Sequence, residues 1–570
     1  MPETSRLRPK LMLLIAVTQG ILLMLLHEAH DSGSWPSESP LWSYPLWTLT
    51  LAVPVLLLLS LEAGRELRTA KLVGAFAIVI GLLAVYIGYQ AQPFGEFRLG
   101  TLSFVFGASI TLACFKALMY IQQRAAGATL SYAVLFTYSW RNFLTLALAL
   151  IFVLAFWLIL MLWAQLFRVI EIEFFYELFR MDWFLYPVLG FAHGLGVIIF
   201  RNLTHVIDSI TRLLHGLIKL LLPLVVFVAA IFMLSLPIAG LDGLWATGQG
   251  TSLLLWLLAM ILFFANAVYQ DGRESHPYPN LIHRAIYIGI LITPVISGLS
   301  FYGLWLRVDQ YGLTVARCWA FVVWLILTLF AVGYTQGIVR RRDHWTGELA
   351  RVNTVMGLVV LTFMLVANSP LLDFRKISLA SQVARVEAGE IEWQDFDFSY
   401  ARYSLARPGY LKMESLKQEF ADSDPELVAL IKQPQNLAYA RPLRSTSDLW
   451  AQMQYRPGPF ELPRELRDMI ERLNINMISS GSLLIQVDLD DDGEFEYVLV
   501  FLLEDRIYNA LFYYRENGKW QSGSIGRSWT GKALQVGAES IRTGEISTHP
   551  SRFKNLHIGG QILRPIENDR

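Results

Sequence analysis

One short acidic segment near the C-terminus has the residue types and spacing of a metal loop. It contains alternating acids, a glycine at position six and a closing acid: Asp488, Asp490, Asp492, Gly493, Glu494 and Glu496. Alternate carboxylates supply the hard oxygen ligands that calcium prefers, and the glycine allows the sharp turn that brings them to one ion. An EF-hand would need an acid at position twelve, where this chain has Leu499.

Two interpretations of the acidic segment remain open. In the first, it is similar to the short calcium turns between β-strands of propeller-type repeats, with a structural calcium ion and five ligands: the side chains of Asp488, Asp490, Asp492 and Glu496 and the carbonyl of Glu494. In the second, it is a solvated hairpin turn, which Asp and Gly favour without any metal.

A second polar group follows the first apolar segment. It consists of His27, Glu28, His30 and Asp31. Two histidines three residues apart share a helical face and are suited to a transition metal. The spacing H-E-x-H differs from the H-E-x-x-H of zinc peptidases, and the sequence identifies no third ligand. We therefore interpret this group as a polar cap at a membrane interface.

Ionisable residues are rare inside the apolar segments. His193 lies in the middle of one, among glycines, and is the intramembrane polar candidate; Lys116 lies near the end of another and is expected to snorkel. The alternative for His193 is a helix-packing contact. No Asp or Glu lies near the centre of an apolar segment, which argues against a proton- or sodium-coupled transporter. Nucleotide-binding glycine loops and nucleophile motifs are also missing.

The elements that position these residues follow from composition. Hydrophobic residues make up 54% of the 570-residue chain, charged residues 16%, and the mean hydropathy is +0.43, which is typical of membrane proteins. The neutral net charge hides an imbalance: residues 1–370 carry 23 Lys and Arg against 18 Asp and Glu, and residues 371–570 carry 24 against 29.

Eleven segments are apolar enough to cross a bilayer as helices, because each offers close to the roughly 20 apolar residues that a span requires. They are 11–26, 43–61, 72–90, 101–121, 142–166, 184–200, 217–237, 251–269, 285–305, 317–338 and 352–368. Residues 167–183 are expected to form a helix lying in the interface, and residues 201–216 an amphipathic extension.

The distribution of Lys and Arg predicts the orientation. With the N-terminus in the cytoplasm, the inner segments carry 17 cations and the short outer loops only five: Arg98, Arg168, Arg180, Arg307 and Arg317. An odd number of spans then places residues 371–570 outside the cytoplasm. We expect a polytopic domain, 1–370, and a periplasmic domain, 371–570.

The C-terminal domain is expected to be α+β. Residues 378–388, 411–433 and 464–475 have helical patterns, and from about residue 482 apolar residues recur with a period of two, which predicts an antiparallel sheet. The predicted fold is therefore a membrane all-α bundle followed by a soluble α+β domain.

A spaced pattern after the last span resembles a known family. It comprises Asp373, Arg375, Ile377, Ser378, Gln382, Arg385, Gly389, Asp397, Arg402 and Gly409. Together with FFYELF and WFLYPVLGFAHGLG at 174–196, it resembles the bacterial membrane proteins grouped as domain of unknown function 4153. The resemblance implies an integral membrane protein of the bacterial envelope, and it brings no catalytic residues.

Three function classes remain. The first is an inner-membrane sensor, binding or scaffold protein that works through its outer domain on an envelope protein or lipid partner. The second is a transporter or flippase for a lipid-like or apolar solute. The third is a membrane enzyme for a lipid-linked substrate, which would require outer residues such as His27, Glu28, Glu171 or Glu173 to converge. Beyond the lipid bilayer no partner is identified, and no nucleic acid is expected.

Overall fold

A computed structural model describes most of the chain in two compact units, residues 1–433 and 434–570. The described residues are 7–93, 100–246, 248–269, 277–432, 450, 453–456, 458, 460, 462–474, 482–489, 493–503, 506–516, 519–524, 556–558 and 561–563.

The first unit is a bundle of eleven membrane-spanning helices, as predicted, counted over the described residues. Ten spans are single helices: α1 Pro9–Asp31, α2 Pro40–Ser60, α3 Glu66–Gln90, α4 Gly100–Ala125, α5 Tyr132–Val169, α7 Asp182–Asn202, α8 Thr204–Ala239, α10 Gly250–Tyr269, α13 Val315–Arg341 and α14 Thr346–Val366. The remaining span is divided into α11, Asn280–Ile290, and α12, Thr293–Tyr311. Two short helices lie between spans: α6 Phe174–Leu178 and α9 Asp242–Ala246.

The break in the ninth span has a local cause. Pro294 lies in the first turn of α12, and a proline has no amide hydrogen to donate to the preceding turn. The helix therefore stops at Ile290 and restarts at Thr293, inside the segment 285–305 that hydropathy predicts as one span.

The two predicted interfacial segments have different outcomes. Residues 167–183 do not form one long helix: α5 continues to Val169, and only the five-residue α6 follows before α7. Aromatic packing explains the compact turn, because Phe175 of α6 and Phe179, which follows this helix, pack on Trp163 of α5. Residues 204–216 are helical and form the first turns of α8.

The spanning helices pack in two groups with separate apolar cores. The first group contains α1 to α5 and α7, with a core around Met12, Leu58 and Val197. The second contains α8 and α10 to α13, with a core around Leu258, Ile290 and Tyr334. Helix α14 contacts α4 and α5 of the first group and α13 of the second, and so joins them.

A helical segment follows the last span and belongs to the same unit. This segment, residues 370–432, is named the cap, and it contains α15 Phe374–Glu387, α16 Phe398–Ser404, α17 Ala406–Glu419 and α18 Pro425–Lys432. Its own core is formed by Phe396, Phe398, Leu405, Met413 and Leu416 with residues of α18. Hydropathy changes at residue 370, whereas the compact unit ends after Gln433, because the cap packs on the spanning helices.

The second unit contains a five-stranded sheet in the order β1-β2-β3-β4-β5. The strands are β1 Gln454–Arg456, β2 Leu483–Val487, β3 Glu496–Leu503, β4 Arg506–Glu516 and β5 Lys519–Ser524, with a separate pair, β6 Leu556–Ile558 and β7 Gln561–Leu563. The predicted antiparallel pairing holds for β2 to β5, and β1 adds a parallel edge. Helix Arg464–Asn474 contributes Leu466 and Ile470 to a core with Leu484, Leu499 and Tyr513.

Candidate functional site

Several hydrogen bonds hold the junction between the cap and the loop that joins α12 to α13. Ser378 Oγ donates to the carbonyl of Leu313 at 3.0 Å. Gln382 Nε2 donates to the carbonyls of Tyr311 and Leu313, both at 3.0 Å. In return, Leu313 N donates to Ser381 Oγ at 2.9 Å. One face of α15 therefore satisfies the backbone groups left free where α12 ends.

Helix α16 completes this junction through one tyrosine. The Tyr400 hydroxyl accepts a hydrogen bond from Val315 N at 2.8 Å and lies 2.9 Å from Ser378 Oγ. Burial raises the pKa of Tyr400, which keeps the hydroxyl protonated. Asp397 caps α16 by accepting from Tyr400 N at 2.7 Å, and so orients the turn that carries this side chain.

A buried ion pair fixes the start of the cap to α3. Arg375 Nε donates to Asp373 Oδ1 at 2.8 Å, and the two side chains are only 8% and 1% exposed. The Tyr86 hydroxyl of α3 donates to Asp373 Oδ2 at 2.6 Å. Burial opposes ionisation of Asp373, but the hydrogen bonds and charge of Arg375, with the bond from Tyr86, hold its pKa below the usual value.

These contacts explain much of the sequence pattern recognised after the last span. Asp373, Arg375, Ser378 and Gln382 hold the cap on the ends of the spanning helices. Gly409 has a different reason: a Cβ there would lie 1.9 Å from the carbonyl oxygen of Ala401, so only glycine lets α17 approach α16. These residues of the pattern therefore hold the cap in place. The end of the bundle that the cap contacts is named the cap end, and the opposite one the far end.

Sequence reasoning missed a polar network inside the bundle. Asn353 of α14 donates through Nδ2 to Tyr132 Oη and Asn266 Oδ1, both at 2.9 Å, and accepts from the Tyr334 hydroxyl at 2.7 Å. The Tyr132 hydroxyl also donates to Asn266 Oδ1. The network joins α5, α10, α13 and α14, hence both helix groups. Asn and Tyr carry no charge, so a search for ionisable residues passes over them.

The two ionisable candidates within the spans have no polar partner among the described residues. His193 is half-buried in α7, and neighbouring glycines serve packing: a Cβ at Gly190 would lie 2.6 Å from the Ala16 carbonyl oxygen of α1. Lys116 is half-buried in α4. Because α4 continues to Ala125, Lys116 lies farther from the helix end than hydropathy predicts.

The histidine group at the end of α1 meets an acid from another helix. His27 Nε2 lies 3.5 Å from Asp31 Oδ2 and 3.8 Å from Asp182 Oδ2 at the start of α7, and its ring packs against Tyr186. His30 contacts Ser37. Within the described parts of the chain, no three His, Cys, Asp or Glu side chains have the arrangement of a metal site.

The acidic segment joins β2 to β3, as the sequence predicts for a turn. Gly493 N donates to Asp488 Oδ2 at 3.0 Å, and Leu489 N donates to Glu496 Oε2 at 2.6 Å. Gly493 has φ +88°, a conformation that favours glycine. Asp490 and Asp492 lie outside the described residues, and Glu494 lies in the turn between strands. The calcium ligand set therefore stays a prediction.

Comparisons with known proteins agree with the sequence pattern. The model of the family described as Domain of unknown function (DUF4153) matches residues 46–416, which extend from α2 into α17 of the cap. Searches of curated proteins and of solved structures found no match. The match covers more than half of the chain, and it includes the spans from α2 to α14 and the cap contacts described above but not α1. The chain therefore belongs to the DUF4153 family.

Proposed function

We propose that the protein is a multi-pass protein of the bacterial inner membrane that works as an envelope sensor, binding or scaffold protein through its extracytoplasmic part. The N-terminus and the far end face the cytoplasm, and the cap end and the second unit face the periplasm. The excess of Lys and Arg in the loops of the far end supports this orientation.

The observation that carries the proposal is the junction between the cap and residues 311–315. Ser378 and Gln382 donate three hydrogen bonds to backbone carbonyls of this segment, and Tyr400 accepts a fourth from Val315 N. A flexible tether would need no such contacts, whereas a sensor or scaffold needs its outer segment fixed on the membrane helices. The buried Asp373–Arg375 pair adds a second point of attachment, on α3.

Complementation of a deletion strain tests the proposal. The strain would carry the full chain, a chain ending at Lys432, or the full chain with Ser378→Ala and Gln382→Ala. Growth in detergent and in antibiotics that the outer membrane normally excludes is the readout. We expect only the full chain to restore growth, with all three proteins inserted at similar levels. Full restoration by the chain ending at Lys432 would contradict a function that depends on the second unit.

A second candidate function is transport of an anionic, lipid-like solute. Lys116 supports it, because this ammonium group has no carboxylate partner among the described residues. It lies on the helical face that also carries Ala113 and Tyr120, and Tyr120 donates to the carbonyl of Thr354 in α14. A cation between α4 and α14 suits a ligand with a phosphate or carboxylate.

Proteoliposomes distinguish the two candidates. Full-length protein, Lys116→Met and the exposed control Lys71→Met would be reconstituted with fluorescent phosphatidylglycerol, and movement between leaflets would be followed with a membrane-impermeant reductant. Transport between α4 and α14 predicts fast movement for the native chain and the control, and slow movement for Lys116→Met. If the lipid moved equally fast in liposomes with the native chain and in protein-free liposomes, transport of this lipid would be contradicted.

A further inference from the structure

Two arginines close to the cap end both lie near the ring of one tyrosine. The guanidinium carbon of Arg307, in α12, is 6.0 Å from the ring centroid of Tyr311, and that of Arg317, in α13, is 5.5 Å from it. These are two of the five cations that the sequence leaves in the short loops on this side of the membrane. Because cations are depleted there, their convergence on one ring calls for a physical reason.

A third arginine comes from the cap. Arg385 of α15 passes beside the same loop: a Cβ at Gly312 would lie 2.9 Å from Arg385 Cδ. Arg307 and Arg385 are both close enough to the Arg317 guanidinium to act on it as like charges. The first turn of α13, which presents the positive end of a helix dipole, contains no acidic residue.

Two of these three arginines already donate hydrogen bonds to other groups of the protein. Arg317 Nη1 donates to the carbonyl of Gly312 at 2.6 Å, which caps the end of α12. Arg385 Nη2 donates to the carbonyl of Gln310 at 3.2 Å, and its Nε donates to Glu390. Arg307 differs, because no carbonyl or carboxylate in the described part of the chain accepts a hydrogen bond from it.

The surroundings indicate what Arg307 faces. Trp305 and Tyr311 on the same helix are 55% and 52% exposed, and Tyr302 one turn earlier is also exposed. Exposed Trp and Tyr near the end of a span mark the level of the lipid headgroups. A guanidinium at this level meets the phosphates of the bilayer, which it binds through two parallel hydrogen bonds.

We infer that Arg307, with Arg317 and Arg385 behind it, forms a binding site for the phosphate of an anionic phospholipid headgroup. Arg307 supplies the direct hydrogen bonds, and the other two add positive potential while they hold the loop. The site is built from α12, α13 and the cap, so a bound headgroup bridges the cap and the spanning helices. This inference deepens the proposed function and rests on its orientation, which makes the lipid one of the outer leaflet.

Native mass spectrometry of the full-length protein tests the site. Detergent-solubilised protein would be titrated with phosphatidylglycerol and, separately, with phosphatidylcholine, and the bound lipid counted for the native chain, Arg307→Gln, Arg307→Lys and Lys376→Gln. Lys376 is an exposed cation of α15 and provides the matched control. We expect Arg307→Gln to weaken phosphatidylglycerol binding about five-fold, since one cation near the surface contributes about that factor.

The controls separate the remaining outcomes. Arg307→Lys should retain part of the binding, and Lys376→Gln should bind as the native chain does. Equal binding of phosphatidylglycerol by the native chain and by Arg307→Gln would overturn the site, as would equal binding of phosphatidylcholine. If millimolar inorganic phosphate displaces the lipid or raises the melting temperature by itself, the ligand is a soluble phosphate and the lipid assignment is wrong. The assay does not need the second unit to have a partner, so its failure is distinct from failure of the complementation experiment.

Discussion

The two ends of the helix bundle hold their charges in different ways. At the far end, ion pairs are exposed, as in Arg141–Asp208, whose side chains are 35% and 43% exposed. At the cap end, the Asp373–Arg375 pair is almost fully buried and also bonded to Tyr86. Exposed pairs contribute little to stability, whereas removing one partner of a buried pair is costly. The buried pair at the cap end therefore contributes more to holding the structure than an exposed pair of the far end does.

Chemical labelling of the two ends gives the largest expected effect, an all-or-none difference. In a Cys114→Ser, Cys318→Ser background, single cysteines would replace the exposed residues Lys376 of the cap and Arg340 of the far end. A membrane-impermeant maleimide added to spheroplasts should label only position 376, and position 340 should react after lysis. The reverse pattern would place the cap in the cytoplasm and overturn the proposed orientation. A periplasm-dependent reporter fused after Arg570 should agree with position 376.

Removing the buried carboxylate gives the next largest effect. Asp373→Ala should lower the free energy of unfolding by about 3 to 5 kcal/mol, because it leaves the Arg375 charge buried without its partner. Asp208→Ala at the far end should cost about 0 to 1 kcal/mol. Thermal unfolding in detergent, followed with a maleimide dye that reacts with Cys114 and Cys318 as they become accessible, measures both. Similar losses for both variants would abolish the contrast between the ends.

Calcium binding would extend the comparison to the second unit. If the acidic turn binds the ion, the full chain should bind one calcium at this site, and at a hundred times its dissociation constant the second unit should gain about 2.7 kcal/mol. Asp490→Ala should abolish both effects, while Asp424→Ala in the cap leaves them unchanged. Isothermal titration with calcium, and with magnesium as a comparison, is the measurement. If millimolar calcium gave no heat and no stabilisation, the acidic segment would be a solvated hairpin turn without a metal.

The smallest expected effect is a pH dependence at the cap end. The pKa of Asp373 is lowered in the folded protein, so its ion pair stabilises the fold fully above the usual carboxyl pKa of about 3.9 and loses this contribution as the pH falls through the lowered value. The native chain should therefore lose more stability between about pH 5 and pH 2 than Asp373→Asn does. Equal slopes for the two chains would show that Asp373 is not ionised in the folded state.

Hydropathy predicted the number of spans because each span is a local run of apolar residues. It did not predict that the ninth span divides into two helices before Pro294, since both α11 and α12 are apolar. The contacts that define the cap end could not be predicted from the sequence either. Tyr86 and Asp373 lie 287 residues apart, and Ser378 and Gln382 bond to backbone carbonyls, which leave no mark in the sequence of the loop. The pattern after the last span could be recognised in the sequence, but its role became clear only from the residues that it contacts in the fold.

The acidic turn and the intramembrane polar network show two other limits. Spacing alone located the turn between β2 and β3, yet occupancy by calcium depends on how Asp490 and Asp492 are placed. The network around Asn353 was missed for the opposite reason: its residues are ordinary and neutral, and only folding brings them from four helices to one point.

The bonds between the cap and the loop also set an order of assembly. Ser378 is synthesised 65 residues after Leu313, to whose carbonyl it donates, and both α13 and α14 must be inserted between them. During translation, the backbone groups at the end of α12 and the start of α13 therefore lack their partners from the cap. They gain these partners only once the cap has emerged on their side of the membrane. A chain that misses one span delivers the cap to the wrong side of the membrane and leaves these groups unsatisfied. Docking of the cap on the loop thus requires that both intervening spans have been inserted.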